Sequence, residues 1–372
     1  MNLNFIGKID KTLFFAVVIL ICVGLIIILS TSYSSSGIDF LNFKKQIIFS
    51  VIGIVLMFII SLFDYRALKN YTGILYILAF FILVAVLFSG LLIRGASSWF
   101  SFGFINFQPS EFVKIIVIII LAKYLSKTKD YVSDIKRLVV SGIYISLPVL
   151  LILFQPDFGS ALVIMFIWFS MIFISGINRK YMISVILLGG VLFTTGWLYV
   201  FRDYQKDRIL TFVNPQSDPH GAGYNVIQSI IAIGSGNIWG KGLGHGSQSQ
   251  LNFLPEKHTD FIFAVIAEEM GFIGIVFVIS LFGIIFYRLF KIVNESQDNF
   301  GKLIVLGSAF MLMFHFFVNT GMNMGIMPIT GIPLPFISYG GSSLVGFLIV
   351  IGLVQSVYVK GRGYKIEKGE DD

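Results

Sequence analysis

Residues 13–30 read Leu-Phe-Phe-Ala-Val-Val-Ile-Leu-Ile-Cys-Val-Gly-Leu-Ile-Ile-Ile-Leu-Ser and contain no charged side chain. A helix of about 20 apolar residues crosses the hydrocarbon core of a bilayer, which is roughly 30 Å thick. Similar stretches recur along the whole chain, in which 56% of the residues are hydrophobic, 13% are charged and the mean hydropathy is +0.88. A soluble domain cannot bury that much apolar surface. We therefore expect an all-α polytopic membrane protein.

The apolar stretches predict about ten transmembrane helices. Their expected bounds are Leu13–Ser30, Gln46–Leu62, Tyr71–Leu92, Pro109–Leu125, Leu138–Phe154, Ser160–Ser175, Tyr181–Val200, Asp260–Tyr287, Leu303–Met327 and Ser342–Tyr358. We treat residues 1–372 as a single transmembrane domain, in which residues 201–259 form one large extracellular loop between the seventh and eighth helices. The first stretch is expected to be retained, because it is too long for the core of a signal peptide.

The distribution of basic residues predicts the orientation. Most of the 27 Lys and Arg residues lie in segments that are cytoplasmic if the N-terminus is inside, and short cytoplasmic loops carry an excess of these residues. Both termini are therefore predicted to be cytoplasmic. The net charge of +7 suits contact with anionic membrane lipids and gives no reason to expect nucleic acid as a partner. The single cysteine, Cys22, excludes an intrachain disulfide.

Three outer segments are expected to surround a site. Within the large loop, residues 224–233 carry apolar side chains at helical spacing, which predicts either an amphipathic helix in the membrane interface or an ordinary packed loop helix. Residues 94–111 and 328–343 mix polar, aromatic and proline residues. Irregular backbone at membrane depth survives only where protein or a wet cavity surrounds it. Both segments are therefore expected to line a cavity, the first as an interfacial or re-entrant segment.

Asp260 lies where the polar loop enters the strongly apolar eighth span. Loss of hydration favours the protonated carboxyl group, whereas a helix N-terminus favours the ionised form, so such a group can serve as a base near neutral pH. A helix cap is the alternative role. Glu256, His258 and Gln248 are expected to converge on the same outer site. Asp260 is the prime catalytic candidate.

Other charged residues lie at the outer ends of the fourth and sixth spans. Glu111 and Lys114 stand three residues apart, which places them on one helix face as a pair. Because ions inside a membrane are costly, such a pair is either functional or a structural ion pair that fixes the helix. Asp157 occupies the short turn between the fifth and sixth spans, where it is either functional or a turn cap.

Three further polar residues lie deeper in the predicted bundle. Glu268 and Glu269 are about two turns into the eighth span, and their depth favours internal hydrogen bonds. His315 lies in the ninth span. Its simplest interpretation is a histidine of the bundle interior, and a proton relay is the alternative.

These motifs together resemble the SEDS family (shape, elongation, division and sporulation) over nearly the whole chain. The matching stretches are Phe107–Lys114, Gln155–Ala161, Lys241–Gln248, Phe253–Ala264 and Pro328–Ser343. The last stretch contains Gly-Ile-Pro-Leu-Pro-Phe, which is similar to the rod-shape, elongation branch more than to the division branch. Ser98 precedes Trp99 where many relatives have arginine, which leaves this loop or Arg94 as the source of a phosphate-binding cation.

The resemblance implies a peptidoglycan glycosyltransferase of the bacterial cell membrane that polymerises lipid II, the undecaprenyl-pyrophosphate-linked disaccharide peptide, on the outer face. It implies a class B penicillin-binding protein as the crosslinking partner. Asp260 would be the catalytic base of an inverting transfer. The expected substrate-binding residues are Glu111, Lys114, Arg94, Trp99, Asp157, Arg202, Arg208, Gln248, His258 and Ser338.

No organic cofactor is expected, and the sequence has no dedicated metal cage. Asp260 and a pyrophosphate could nevertheless share Mg²⁺ or Mn²⁺. The main alternative function is a flippase or other transporter of a lipid-linked precursor, and a scaffold for the crosslinking partner is a third. Transporters place their sites near the bilayer midplane between internal repeats. The outer position of the polar residues and the lack of an evident inverted repeat favour the enzyme.

Overall fold

The computed structural model describes residues 9–34, 37–38, 40–93, 96–103, 105–128, 132–199, 201, 203–218 and 221–367. Its helices are α1 (Lys11–Ser32), α2 (Leu41–Leu62), α3 (Leu68–Ser89), α4 (Pro109–Thr128), α5 (Asp134–Phe154), α6 (Phe158–Ile174), α7 (Arg179–Tyr199), α8 (Asp203–Val213), α9 (Ala222–Ser235), α10 (Ser247–Gln250), α11 (Ile262–Glu295), α12 (Asn299–Asn323) and α13 (Gly341–Glu367). Its short strands are β1 (Tyr33–Ser34), β2 (Gly37–Ile38), β3 (Leu91–Ile93), β4 (Ala96–Phe102) and β5 (Ile105–Phe107).

A helix lies at every predicted membrane span, which confirms the polytopic all-α architecture. Within the described residues, eight helices are long and apolar enough to cross a membrane: α1, α2, α3, α5, α7, α11, α12 and α13. Helix α6 is also apolar but has 17 residues. Helix α4 carries Glu111, Lys114 and Lys123, and it tolerates the first two because their side chains are buried against each other.

Helices α12 and α13 form the centre of the bundle. In α13, 94% of the residues in the apolar stretch are buried, compared with 11% in the peripheral α7. Helix α2 packs closely against α13 because glycines let the backbones approach. A Cβ atom on Gly352 would lie 2.8 Å from the carbonyl oxygen of Met57, and one on Gly53 would lie 2.4 Å from the side chain of Leu348. Larger residues at these glycines would force the two helices apart.

Helix α11 is kinked at Gly271, where the sequence suggested one continuous span. Gly271 has φ +67°, a conformation that glycine adopts without a steric penalty. The large loop between α7 and α11 crosses the helix at this point, since the amides of Lys241 and Phe272 donate to the carbonyls of Glu268 and Asn237 over 2.9 Å each. The kink therefore joins the large loop to the membrane helix through backbone hydrogen bonds.

The segment expected to be interfacial or re-entrant forms part of a small antiparallel sheet. Strand β4 pairs with both β3 and β5, with Trp99 opposite Leu91 and Phe100 opposite Phe107. Pairing satisfies the backbone groups of an irregular outer segment, as a helix would. In the large loop, the predicted helix is present as α9, which buries Ala232 and packs on α11.

Candidate active site

Asp260 lies two residues before α11 and is only 9% exposed. Its backbone carbonyl accepts hydrogen bonds from the side-chain amides of Asn319 at 3.1 Å and Asn323 at 2.9 Å. Asn323 also accepts a hydrogen bond from the Ala264 amide at 3.1 Å, in the first turn of α11. Two asparagines on α12 therefore fix the backbone that carries the carboxylate.

Asp260 lines a cavity of about 160 Å³. The facing wall is the loop around Gly331, where an added Cβ atom would lie 3.8 Å from the Asp260 Oδ2 atom. The cavity is also lined by Lys45, Trp99, Asn106, Gln108, Tyr339 and Ser343, among others. The predicted cavity between the two outer segments is thus present, and it brings Trp99 together with Asp260.

Lys45 is a cation of this cavity that the sequence reasoning did not select as a site residue. The predicted second span begins at Gln46, which would leave Lys45 in the preceding loop. The helix begins earlier, at Leu41, so Lys45 lies on its second turn and reaches the cavity. The neighbouring Gln46 donates to the carbonyl of Ser338 over 3.1 Å and ties α2 to the opposite wall.

Glu111 and Lys114 form the predicted pair. The ammonium of Lys114 lies 2.8 Å from Glu111 Oε1 and 3.3 Å from His315 Nε2, and the three residues are at most 2% exposed. His315 Nδ1 lies 3.3 Å from the Pro333 carbonyl, which only accepts, so Nδ1 carries the proton and Nε2 accepts from Lys114. Since Pro333 lines the Asp260 cavity, this charged cluster lies behind the cavity wall.

Asp157 caps helix α6 and also contacts a residue that lines the cavity. Its Oδ1 atom accepts from the Ser160 amide at 3.0 Å, which caps α6. Its Oδ2 atom accepts from the side-chain amide of Gln108 at 3.0 Å. Gln108 lines the Asp260 cavity, whereas Asp157 lies behind it.

Ser338 and His258 support the backbone next to Asp260. Ser338 Oγ donates to the Thr259 carbonyl over 2.7 Å and accepts from the Leu334 amide at 2.8 Å. His258 Nδ1 lies 2.9 Å from Thr31 Oγ1 on α1. The cavity lining contains neither side chain.

Gln248 belongs to a second cluster, around Glu268 and Glu269. The Gln248 amide and the Lys241 ammonium donate to Glu268 Oε1 over 2.9 Å each, and Ser30 donates to Glu269 Oε2 over 2.6 Å. The internal hydrogen bonds expected for both glutamates are therefore confirmed. The expected convergence of Gln248 with Asp260 in one cavity is not found.

Lys257 fixes the segment between this cluster and Asp260. Its ammonium donates to the Ser249 carbonyl over 2.6 Å and to Asn252 Oδ1 over 2.8 Å. Burial lowers the pKa of Lys257, and the negative charge of Glu269 opposes that change. The amine is held at the cost of partial desolvation, which indicates a bracing role.

Of the three predicted arginines, the structure describes Arg208 alone. Arg208 lines a separate, small cavity with Phe158 and Phe201. Arg94 and Arg202 lie outside the described residues. Among the residues that the structure describes, no cluster of three or more His, Cys, Asp or Glu could hold a metal ion.

Comparison with known proteins agrees with the fold. A model of the FtsW/RodA/SpoVE family, described as a cell cycle protein, matches residues 11–362. The chain is 37% identical over 326 residues to the peptidoglycan glycosyltransferase MrdB of Escherichia coli (strain K12), with 88% of each chain covered. It is 34% identical over 429 residues to the peptidoglycan glycosyltransferase RodA of Treponema pallidum (strain Nichols), covering 96% of this chain and 99% of that one.

A solved structure is also similar. It is described as "Structural coordination of polymerization and crosslinking by a peptidoglycan synthase complex", and one of its chains superposes with a TM-score of 0.80 at 33% identity. The match covers 95% of this chain and 98% of the solved one. The likeness therefore extends over nearly the whole chain.

Proposed function

This chain belongs to the FtsW/RodA/SpoVE family, and from that premise we propose that it polymerises lipid II into glycan strands for cell-wall elongation, by inverting transfer with Asp260 as the general base. It is a peptidoglycan glycosyltransferase, as its curated relatives are. One observation carries the mechanism: a nearly buried carboxylate, Asp260, shares a cavity with a cation, Lys45, and with polar and aromatic side chains.

The reaction joins two lipid-linked sugars. The C4 hydroxyl of a terminal N-acetylglucosamine attacks the anomeric carbon of N-acetylmuramic acid. A new C–O bond forms as the bond to the pyrophosphate breaks, and undecaprenyl pyrophosphate leaves with the bonding electrons. A sugar hydroxyl is a poor nucleophile, so Asp260 accepts its proton as the bond forms. The α-linked donor gives a β-linked product.

The leaving pyrophosphate needs positive charge nearby. Lys45 supplies it in our proposal, because its side chain lines the cavity with Asp260. The ammonium of Lys114 already binds Glu111 and His315 behind the wall, which supports a positioning role. Arg208, Arg94 and Arg202 stay candidates for contacts farther from Asp260. Mg²⁺ or Mn²⁺ could be shared by Asp260 and the pyrophosphate oxygens, which are the hard ligands that these ions prefer.

The lipid chain needs an apolar groove. A cavity of about 430 Å³ lies between α2, α3, α4 and α13 and is lined mainly by apolar side chains, including Phe63, Ile116 and Leu353. We assign it to part of an isoprenoid chain.

The proposed reaction fits a protein of the bacterial inner membrane with both termini in the cytoplasm and Asp260 on the outer face. The solved relative from a peptidoglycan synthase complex supports a class B penicillin-binding protein as the partner.

The test is gel-resolved glycan synthesis from purified lipid II. Wild type and Asp260→Asn are compared with and without the crosslinking partner, and with Mg²⁺, Mn²⁺ or a chelator. We expect polymer from the wild type and none from a folded Asp260→Asn protein. Polymer from the mutant would reject Asp260 as the base and favour a scaffold. Lipid translocation in vesicles without polymerisation would favour the transporter.

A further inference from the structure

The side-chain amide of Gln108 has one orientation in the cavity, and Asp157 sets it. We propose that the Oε1 atom of Gln108 accepts a hydrogen bond from an N–H or O–H group of the substrate sugar. Asp157 is the positioning residue that holds this acceptor in place. The proposal rests on the proposed function, which supplies N-acetylated sugars as substrates. In this proposal Gln108 determines specificity, and Asp157 acts on the substrate only through Gln108.

The carboxylate of Asp157 accepts hydrogen bonds with both of its oxygen atoms. Its Oδ2 atom accepts from Ser160 Oγ at 2.8 Å, from Gln108 Nε2 at 3.0 Å and from Ser110 Oγ at 3.3 Å. Its Oδ1 atom accepts from the Ser160 amide at 3.0 Å. An ionised carboxylate has no hydrogen to donate. Gln108 must therefore turn its NH₂ group towards Asp157.

The backbone of Gln108 is held in place by hydrogen bonds on both sides. Its backbone amide donates to Ser342 Oγ at the start of α13 over 2.9 Å, and Ser342 in turn donates to the Asn106 carbonyl over 3.1 Å. The Gln108 carbonyl accepts from the Glu111 amide at 3.3 Å. Within the described part of the chain, no hydrogen bond uses Gln108 Oε1, and Gln108 lines the cavity. Its Oε1 atom is thus the polar atom left for a ligand.

The chemistry of Gln108 Oε1 indicates which group it can bind. A carbonyl oxygen only accepts hydrogen bonds and carries partial negative charge, so it suits a sugar hydroxyl or acetamido N–H and disfavours a phosphate. Lys45, in the same cavity, suits the phosphate. A site built around such an acceptor discriminates strongly against a ligand that lacks the donor, because the polar group is then left unpaired. Gln108 would thus bind the sugar and Lys45 the pyrophosphate, on the two sides of the glycosidic bond near Asp260.

The test exchanges the two functional groups, so that the amide is at position 157 and the carboxylate is at position 108. Asp157→Asn keeps an oxygen for the Ser160 amide but presents an NH₂ group to Gln108, which should then turn its own NH₂ group into the cavity. Gln108→Glu sets a second carboxylate against Asp157. In the double variant, the new amide at position 157 donates to one oxygen of the new carboxylate, and the other oxygen faces the cavity as an acceptor. We expect each single variant to raise KM by about tenfold or more, and the double variant to recover most of the loss.

Affinity for lipid II, measured without turnover, separates this proposal from the proposed function. A wild type that binds lipid II but makes no polymer would refute the function, and the comparison of affinities would still decide the role of Gln108. Gln155→Ala serves as the control. Gln155 lies in the same turn as Asp157, but its side-chain amide donates to the Leu83 carbonyl over 2.9 Å. It should lower the melting temperature and leave KM near the wild-type value. Asp157→Asn with unchanged KM and affinity, or a folded double variant without recovery, would overturn the proposal.

Discussion

The side-chain amide of Asn323 donates a hydrogen bond of 2.9 Å to the backbone carbonyl of Asp260. Asn319, one turn earlier on α12, donates both to the same carbonyl and to the Ile332 carbonyl over 2.8 Å. Ile332 belongs to the loop that forms the facing wall of the cavity. Helix α12 therefore holds the proposed base and the wall in a fixed relation, which is the arrangement that positioning in catalysis requires.

Asn323→Ala should lower kcat by about 10- to 100-fold, because the backbone of Asp260 loses a support and small misplacements of a base are costly. The free energy of unfolding should fall by about 1–3 kcal/mol, since buried polar groups lose their partner. Steady-state kinetics and thermal unfolding in detergent measure both. Thr320→Ala is the control, because that hydroxyl bonds mainly back to the Phe316 carbonyl. Equal effects of the two substitutions would contradict the prediction.

Glu111 and Lys114 should behave as one unit. Lys114→Met leaves the buried carboxylate of Glu111 without its cation, so we expect a loss of about 3–5 kcal/mol in the free energy of unfolding. The double variant with Glu111→Gln should lose much less than the sum of the two single losses. A double-mutant cycle by thermal unfolding measures this coupling, and simple additivity would show that the pair is not coupled.

Lys45→Gln should weaken binding of lipid II and of undecaprenyl pyrophosphate by about tenfold, because a charge-assisted hydrogen bond in the cavity is lost. The dependence of binding on salt should also become weaker. Lys44→Gln is a matched control, since Lys44 is exposed and is absent from the cavity lining. Binding titrations at two salt concentrations are the measurement. Equal losses for both lysines would point to a general charge effect.

Gly240→Ala should destabilise the protein by more than about 1 kcal/mol. Gly240 has φ +79°, and an added Cβ atom would lie 2.1 Å from the Glu269 carbonyl oxygen, at the crossing of the outer loop and α11. Gly234→Ala should instead be neutral or stabilise by up to about 1 kcal/mol, because it lies in helix α9 with open space around its Cβ position. Melting temperatures that fall equally in both variants would contradict this account.

Several features could be predicted from the sequence, and others could not. The spans, the helix α9 and the pair of Glu111 with Lys114 all follow from spacing along one segment, and the structure contains each of them. The sheet of β3 to β5 was not predicted, since its pairing depends on hydrogen bonds between strands rather than on hydropathy. The kink of α11 was missed because Gly271 alone does not reveal that another segment crosses there.

The amino-acid sequence alone was enough to predict a multi-pass helical membrane protein with a carboxylate, Asp260, where a polar loop enters a span. These are properties of hydrophobicity and local spacing, which add up along the chain. In the folded chain Lys45 and Gln108 line a cavity with Asp260, whereas Gln248 and the side chain of His258 do not. Local patterns do not predict these contacts, because the distance between two segments depends on how glycine contacts and buried hydrogen bonds pack the helices.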